Sequence, residues 1–159
     1  MNVEDLAIRP ARPDEAEALS HLMFLARADW EYPRELIEHW IVSGGLTITP
    51  DEIENDAAYV AEDEEEAELI GFYSLRFQDG EAQLRELCVL PEHVGEGVRT
   101  SLFLHACELA ETSGAESVTI VAHPHAERFY EEMGAERVGE VACPAPLGMP
   151  ALPVLRMNL

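Results

Sequence analysis

Leu87-Cys88-Val89-Leu90-Pro91-Glu92-His93-Val94-Gly95-Glu96-Gly97-Val98-Arg99-Thr100-Ser101-Leu102 reads as a strand, a glycine-bearing turn and a helix start. Such a turn can aim consecutive backbone N–H groups at one anion, and the helix behind it adds its positive end. Gly95 and Gly97 equally suit a tight strand-to-helix connection that binds nothing, so the residues alone leave both readings open. Three other groupings carry less. His123 and His125 stand two apart like a metal pair, but no third ligand follows at useful spacing, and no metal site is expected. Cys88 could carry an acyl group, yet no His or Asp partner is set by the sequence, and a small buried Cys reads as packing. The run Glu62-Asp63-Glu64-Glu65-Glu66 reads as a solvated hairpin tip, because side chains at a tip do not converge on a cation.

The elements that must position these residues follow from periodicity and punctuation. Leu6–Arg9 alternates and is closed by Pro10, which predicts a strand. Pro13-Asp14-Glu15 opens a helix whose apolar stripe runs through Ala16, Leu19, Met23, Ala26 and Trp30. A second helix starts near Pro33, buries Leu36, Ile37, Trp40 and Ile41, and stops at Gly44-Gly45. Thr49-Pro50-Asp51-Glu52 is a capping box that opens a short helical turn. Ala58–Ala61, Leu69–Phe77 and Ala82–Leu90 are strands, the last two joined by Asp79-Gly80, the strongest hairpin signal in the chain. The longest helix lies between Gly95 and Gly114, burying Val98, Leu102, Phe103, Ala106, Cys107, Leu109 and Ala110. Ser117–Ala122 is β-branched and almost wholly apolar, as suits a central strand buried on both faces. Ala126–Met133 is a short helix. Val138–Val141 and Val154–Leu159 are the last strands, separated by a loop, Cys143–Pro153, with four prolines. Antiparallel hairpins on one side and a βαβ unit on the other define an α+β, mixed-sheet domain spanning residues 1–159, with no internal repeat and no linker.

The segment from Leu87 to Leu102 resembles the pyrophosphate-binding motif of the GNAT acetyltransferase superfamily. His123-Pro124-His125-Ala126-Glu127-Arg128-Phe129-Tyr130-Glu131-Glu132-Met133-Gly134-Ala135 resembles that superfamily's second motif. The element order matches from Leu6 to Leu159, and the closing Leu152-Pro153-Val154-Leu155-Arg156-Met157 is similar to the tail of a subgroup with a Pro-rich C-terminal loop. The resemblance implies a mixed, mostly antiparallel sheet of about seven strands with flanking helices. It implies that acetyl-CoA lies where Ala82–Leu90 and Ser117–Ala122 splay apart. Backbone groups of Leu87, Cys88 and Val89 would then hold the pantetheine arm, and amides of Gly95, Gly97, Val98, Arg99, Thr100 and Ser101 the pyrophosphate. Tyr130 would be the general acid that protonates the leaving thiolate. Glu86 becomes a candidate base for the incoming ammonium, placed on the face of Leu84 and Cys88, with Arg85 or Arg76 as neighbouring cations. His123 is a second candidate. The early helices, with Trp30, Tyr32, His39 and Trp40, would flank the acceptor. Two positions depart from the family pattern. Val94 stands where Arg or Gln is usual, and Arg99 where Gly or Ala is usual, so Arg99 either assists from the side or obstructs the pocket. The expectation is an acetyl-CoA-dependent N-acetyltransferase acting on a small-molecule amine. A CoA-binding sensing domain and a peptide or protein N-acetyltransferase are the alternatives, and a homodimer is compatible with either.

Composition narrows the partners. The chain has 159 residues, 47% hydrophobic, enough for one buried core. It carries 32 acidic and 10 basic residues, a net charge of −22, and every basic residue is Arg. This excludes a passive nucleic-acid binder, which needs a basic surface, and argues against docking on an anionic membrane. The N-terminal MNVEDLAIRP lacks a basic start and an apolar run, and three Cys (Cys88, Cys107, Cys143) read as reduced thiols, so a cytoplasmic protein is expected. The acidic coat would attract a cationic amine. It also fits a surface adapted to molar salt, where screening acts within about 3 Å. Melting temperature should therefore rise between about 0.1 M and about 2 M KCl as carboxylate repulsion is screened. A flat or falling curve would leave coding bias as the explanation of the composition.

Overall fold

The computed structural model describes residues 6–29, 34–43, 46–95, 97–142 and 151–159. Seven strands form one sheet: β1 (Leu6–Pro10), β2 (Ala57–Asp63), β3 (Leu69–Gln78), β4 (Glu81–Val89), β5 (Ser117–Val121), β6 (Glu136–Val141) and β7 (Leu152–Asn158). Their order is β1-β2-β3-β4-β5-β7-β6, and only β4 and β5 run parallel. The helices are α1 (Ala16–Asp29), α2 (Arg34–Ser43), α3 (Pro50–Asn55), α4 (Val98–Thr112) and α5 (Glu127–Glu132). This is the α+β order expected from the sequence.

Local signals account for most boundaries. Thr49 caps α3, its hydroxyl accepting from the Glu52 amide at 3.1 Å. Asp79 and Gly80 both take positive φ, 54° and 79°, the backbone of a two-residue hairpin turn that matches strand twist. Pro10 lies in β1, where its missing N–H is tolerated because the strand is at the sheet edge. Arg9 ties that edge down, donating to Glu15 at 2.8 Å and to Glu62 at 2.7 Å. The hydrogen bond from Arg9 holds the Glu15 carboxyl below the usual range despite partial burial. Glu62 is therefore a paired residue of β2, and only Glu64–Glu66 of the acidic run form the exposed turn.

Two layers of helix cover the sheet. On one face Leu102, Phe103, Ala106 and Ala110 of α4 pack with Tyr73, Val118, Ile120 and Leu155. On the other, Leu19, Met23 and Ala26 of α1 pack with Val60, Phe72 and Cys88. Trp30, Tyr32, Pro33, Gly44-Gly45, the side chains of Leu36, His39 and Trp40, and Cys143 lie outside the described residues. Three expectations are corrected. Ile41 is 53% exposed, and among the described side chains of α2 it is Ile37 that leans on the core. Leu109 of α4 is half-buried at the margin of the core rather than sealed in it. The third concerns β5, which is not buried on both faces. Val118 and Ile120 are sealed under α4, but Thr119 is half-buried and Val121 is 49% exposed. The cause is the reach of α1, which contacts β3 and β4 and leaves the same face of β5 open.

Candidate active site

The parallel pairing of β4 and β5 is short. Its register runs Ala82 with Val118, Gln83 with Thr119 and Leu84 with Ile120, and then ends while β4 continues to Val89. At the same point β4 slips against β3. Ser74 pairs with Glu86 but Leu75 with Leu84, so Arg85 is an extra residue, a bulge. One extra residue reverses the side-chain alternation. Leu84 faces α4, and so do Leu87 and Val89 beyond the bulge, whereas Glu86 and Cys88 turn towards α1. Glu86 and Cys88 thus share a face, as expected, but Leu84 does not join them.

The strands diverge around a cavity of about 70 Å³ lined by Arg27, Glu86, Leu87, His123 and Tyr130 among others. Past Leu84, the backbone groups of β4 that point away from β3 have no β5 register partner and face this opening. The groups that point away from β3 belong to Leu87 and Val89, at the place expected for the pantetheine arm; the expectation for Cys88 is corrected, because its carbonyl lies against Gly71 of β3, as the Leu90 amide beyond it bonds to Ile70.

Arg27 is the residue the sequence reading missed. It lies in the last turn of α1, four residues after Met23 and eight after Leu19, on the buried stripe, and is 5% exposed. Its Nη2 donates to Glu86 Oε2 at 2.9 Å and its Nη1 to Cys88 Sγ at 3.6 Å. The expected cations are placed otherwise: Arg76 pairs with Asp56 at 3.0 Å, while Arg85 adjoins the carboxylate in sequence and acts on it only through its charge. A buried charge at a helical apolar position must find a counter-charge, and that mismatch was the available signal.

The electrostatics follow from burial. Desolvation pushes the Glu86 carboxyl above the ordinary carboxylate range, with the Arg27 charge opposing it. Burial pushes the Cys88 thiol up to about 11, so it is not a thiolate near neutrality and is unsuited to carry an acyl group. His123 is pushed down to about 3 by burial, with Arg27 adding, and stands as neutral imidazole. Tyr130, 5% exposed, is held above its ordinary range by burial and keeps its phenolic proton.

Tyr130 sits on α5 within an aromatic cluster, 5.4 Å from Phe103 and 5.1 Å from Phe129, both edge to face. Arg99, in the first turn of α4, lays its guanidinium over the Phe129 ring at 4.2 Å. Its side chain therefore runs towards α5. Gly95 and Gly97 take φ of 94° and 84°, the left-handed region where a side chain would be strained. Gly97 is the α4 N-cap and offers no side-chain cap. The amides of Val98, Arg99 and Thr100 are thus left to an outside acceptor, whereas that of Ser101 bonds to the Gly97 carbonyl at 3.0 Å. These open amides fit a pyrophosphate. Val94 is 52% exposed beside them.

Comparison with known proteins gives this geometry a family. Residues 17–135 match the model of the acetyltransferase (GNAT) family. The chain belongs to that family and is an N-acetyltransferase. Among solved structures it is similar to the PaiA N-acetyltransferase from Thermoplasma acidophilum in complex with coenzyme A, at 19% identity and a TM-score of 0.78, covering 97% of this chain and 99% of that one. It is also similar to a GCN5-related N-acetyltransferase from Rhodopseudomonas palustris, at 21% identity and 0.79, covering 96% and 95%. A third, a GCN5-related N-acetyltransferase from Kribbella flavida, matches at 20% identity and 0.70, covering 99% and 100%. At such identities the likeness is one of fold. No curated protein sequence matches the chain.

The pairing of Arg27 has a measurable consequence. Replacing Arg27 with Met strands a largely buried carboxylate, which costs about 2–3 kcal/mol, below the usual range because Glu86 keeps 24% side-chain exposure and can take up a proton. Glu86 has a raised folded-state pKa, so the stranded group destabilises most where it must be ionised. The loss should be larger at pH 8 than at pH 5, measured by urea unfolding of both proteins at each pH. An equal loss at both would mean that packing, not charge, fixes Arg27.

Proposed function

We propose that the protein transfers the acetyl group of acetyl-CoA directly to the primary amine of a small molecule, within a ternary complex. The observation that carries this reading is the opening between β4 and β5, with the Glu86 carboxylate on one side and the protonated Tyr130 phenol on another. Bound acetyl-CoA supplies an activated thioester, and every other role falls to the chain. The open amides of Val98, Arg99 and Thr100 hold the pyrophosphate, with Gly95 and Gly97 shaping the turn, Ser101 completing it, and Arg99 adding charge from the side. Backbone groups of Leu87 and Val89, which point away from β3, align the thioester. Glu86 removes a proton from the incoming ammonium. Its raised pKa makes it a stronger base than a surface carboxylate, and the Arg27 charge opposes that rise by favouring the carboxylate form. The amine nitrogen then bonds to the carbonyl carbon, the carbon–sulfur bond breaks, and Tyr130 gives its proton to the departing sulfur. The second proton of the amine leaves to solvent or restores Tyr130, so one proton is released per turnover. Neutral His123 lines the opening without competing for the ammonium proton.

Replacing Tyr130 with Phe keeps the ring and its contacts and removes only the donor. Melting temperature and CoA affinity should hold, while turnover falls about 10²-fold, in the range for a lost general acid. Replacing Glu86 with Gln should abolish the acidic limb of the pH–rate profile. Both are read by release of CoA thiol with a panel of primary amines. Unchanged turnover in the Phe variant would remove Tyr130 from the mechanism.

A further inference from the structure

Among the described residues three arginines have no ion pair: Arg99, which lies over the Phe129 ring, Arg156, which is exposed on β7, and Arg85, which stands at the site. With 32 carboxylates to 10 guanidinium groups, a cation is expected to find an acid. Arg9, Arg27, Arg76 and Arg137 each hold one between 2.7 and 3.3 Å. Arg85 does not: among the described residues no carboxylate lies within ion-pair distance of it, and the side chain is exposed. It is the bulged residue, immediately before Glu86.

Arg85 lines two spaces. One is the opening that holds Glu86 and Tyr130. The other is a groove of about 360 Å³ bounded by Gln83, Leu84, Arg85, Thr119 and Val121. Leu84, Arg85 and Val121 border both, so the two are continuous. Thr119 and Val121 alternate with Val118 and Ile120, which are sealed under α4. The groove therefore opens on the sheet face away from α4 and its glycine turn, where α1 leaves β5 uncovered. Gln83 and Thr119, register partners across β4 and β5, put a carboxamide and a hydroxyl on its floor.

We infer that this groove receives the acceptor and that Arg85 binds a carboxylate on it, so that the acceptor is an amino carboxylate rather than a simple amine. The inference rests on the proposed acetyl transfer to an amine and names its substrate class. Glu86 and Arg85 are consecutive, with Cα atoms about 3.8 Å apart, so they can meet an ammonium and a carboxylate a few bonds apart in one small molecule. A planar guanidinium suits a carboxylate through paired N–H donors. The field of a −22 chain would by itself favour the simple cation, so a preference for the zwitterion has to come from a local positive group.

The test compares 4-aminobutyrate with butylamine, and glycine and glutamate as further amino carboxylates, in the wild type and in Arg85→Gln and Arg85→Lys. The amines of 4-aminobutyrate and butylamine are matched in chain length and similar in basicity. The readout is the ratio of kcat/KM for 4-aminobutyrate over butylamine. General damage, or a change at Glu86 from losing its neighbour's charge, cancels in that ratio. The wild-type ratio should exceed one, fall at least tenfold in Arg85→Gln, as for a lost charge-assisted hydrogen bond, and recover in part in Arg85→Lys. A ratio that does not change would overturn the role of Arg85. Turnover of butylamine but of no amino carboxylate would do the same while leaving acetyl transfer intact. If no amine is acetylated, the acetyl-transfer reading fails, and calorimetric titration of the CoA-loaded protein with 4-aminobutyrate decides Arg85 separately. Binding lost in Arg85→Gln supports the site, and its absence from the wild type rejects it.

Discussion

One extra residue in β4 governs the rest of the molecule. Arg85 has no partner in β3, and from there β4 alternates in the opposite phase. Without the slip, the residues before and after it would keep one phase, and Glu86 would face the α4 layer with Leu84. With it, Glu86 and Cys88 turn to α1, while Leu87 and Val89 close the core beneath α4. The slip coincides with the end of pairing to β5, so one irregularity both opens the sheet and aims a carboxylate at the opening.

That arrangement requires a counter-charge, and α1 supplies it. A carboxylate on the inner face of a sheet is costly unless paired. Arg27 reaches it from a position that helical spacing would otherwise give to an apolar side chain. The same guanidinium touches Cys88 and adds to the forces that keep His123 neutral. Tyr130 meets the opening from the other layer, braced by Phe103 and Phe129, and Arg99 stacks on Phe129 in turn. The helix that exposes the amides of Val98 to Thr100 and the helix that carries Tyr130 are therefore coupled through a cation and a ring.

Much of this was legible in the sequence. The Thr49 cap, the Asp79-Gly80 turn and the α4 stripe are local rules, each contained within a few residues, and they came out as read except that Leu109 is only half-buried. What was not legible depends on distance or on register. No Gly or Pro marks the bulge at Arg85, because the residues around it alternate acceptably in either phase. The ion pairs of Arg9 with Glu62 and Arg27 with Glu86 join residues 53 and 59 positions apart. The open face of β5 is set by where α1 ends, which the apolar composition of Ser117–Ala122 does not encode. The glycine turn and the Phe129-Tyr130 pair carried a resemblance to a family, but the charge that serves Glu86 came from a helix outside both motifs.

The central claim is that the opening between β4 and β5, continued by the amides at the start of α4, is where acetyl-CoA binds. Amide hydrogen–deuterium exchange with and without acetyl-CoA tests it most directly. Protection should appear in Glu86–Val89 and in residues 95–101, and α1 should change little away from Arg27. Protection confined to the apolar hollow beside His21, Leu22 and Leu25, or no protection in either predicted segment at saturating acetyl-CoA, would contradict the account.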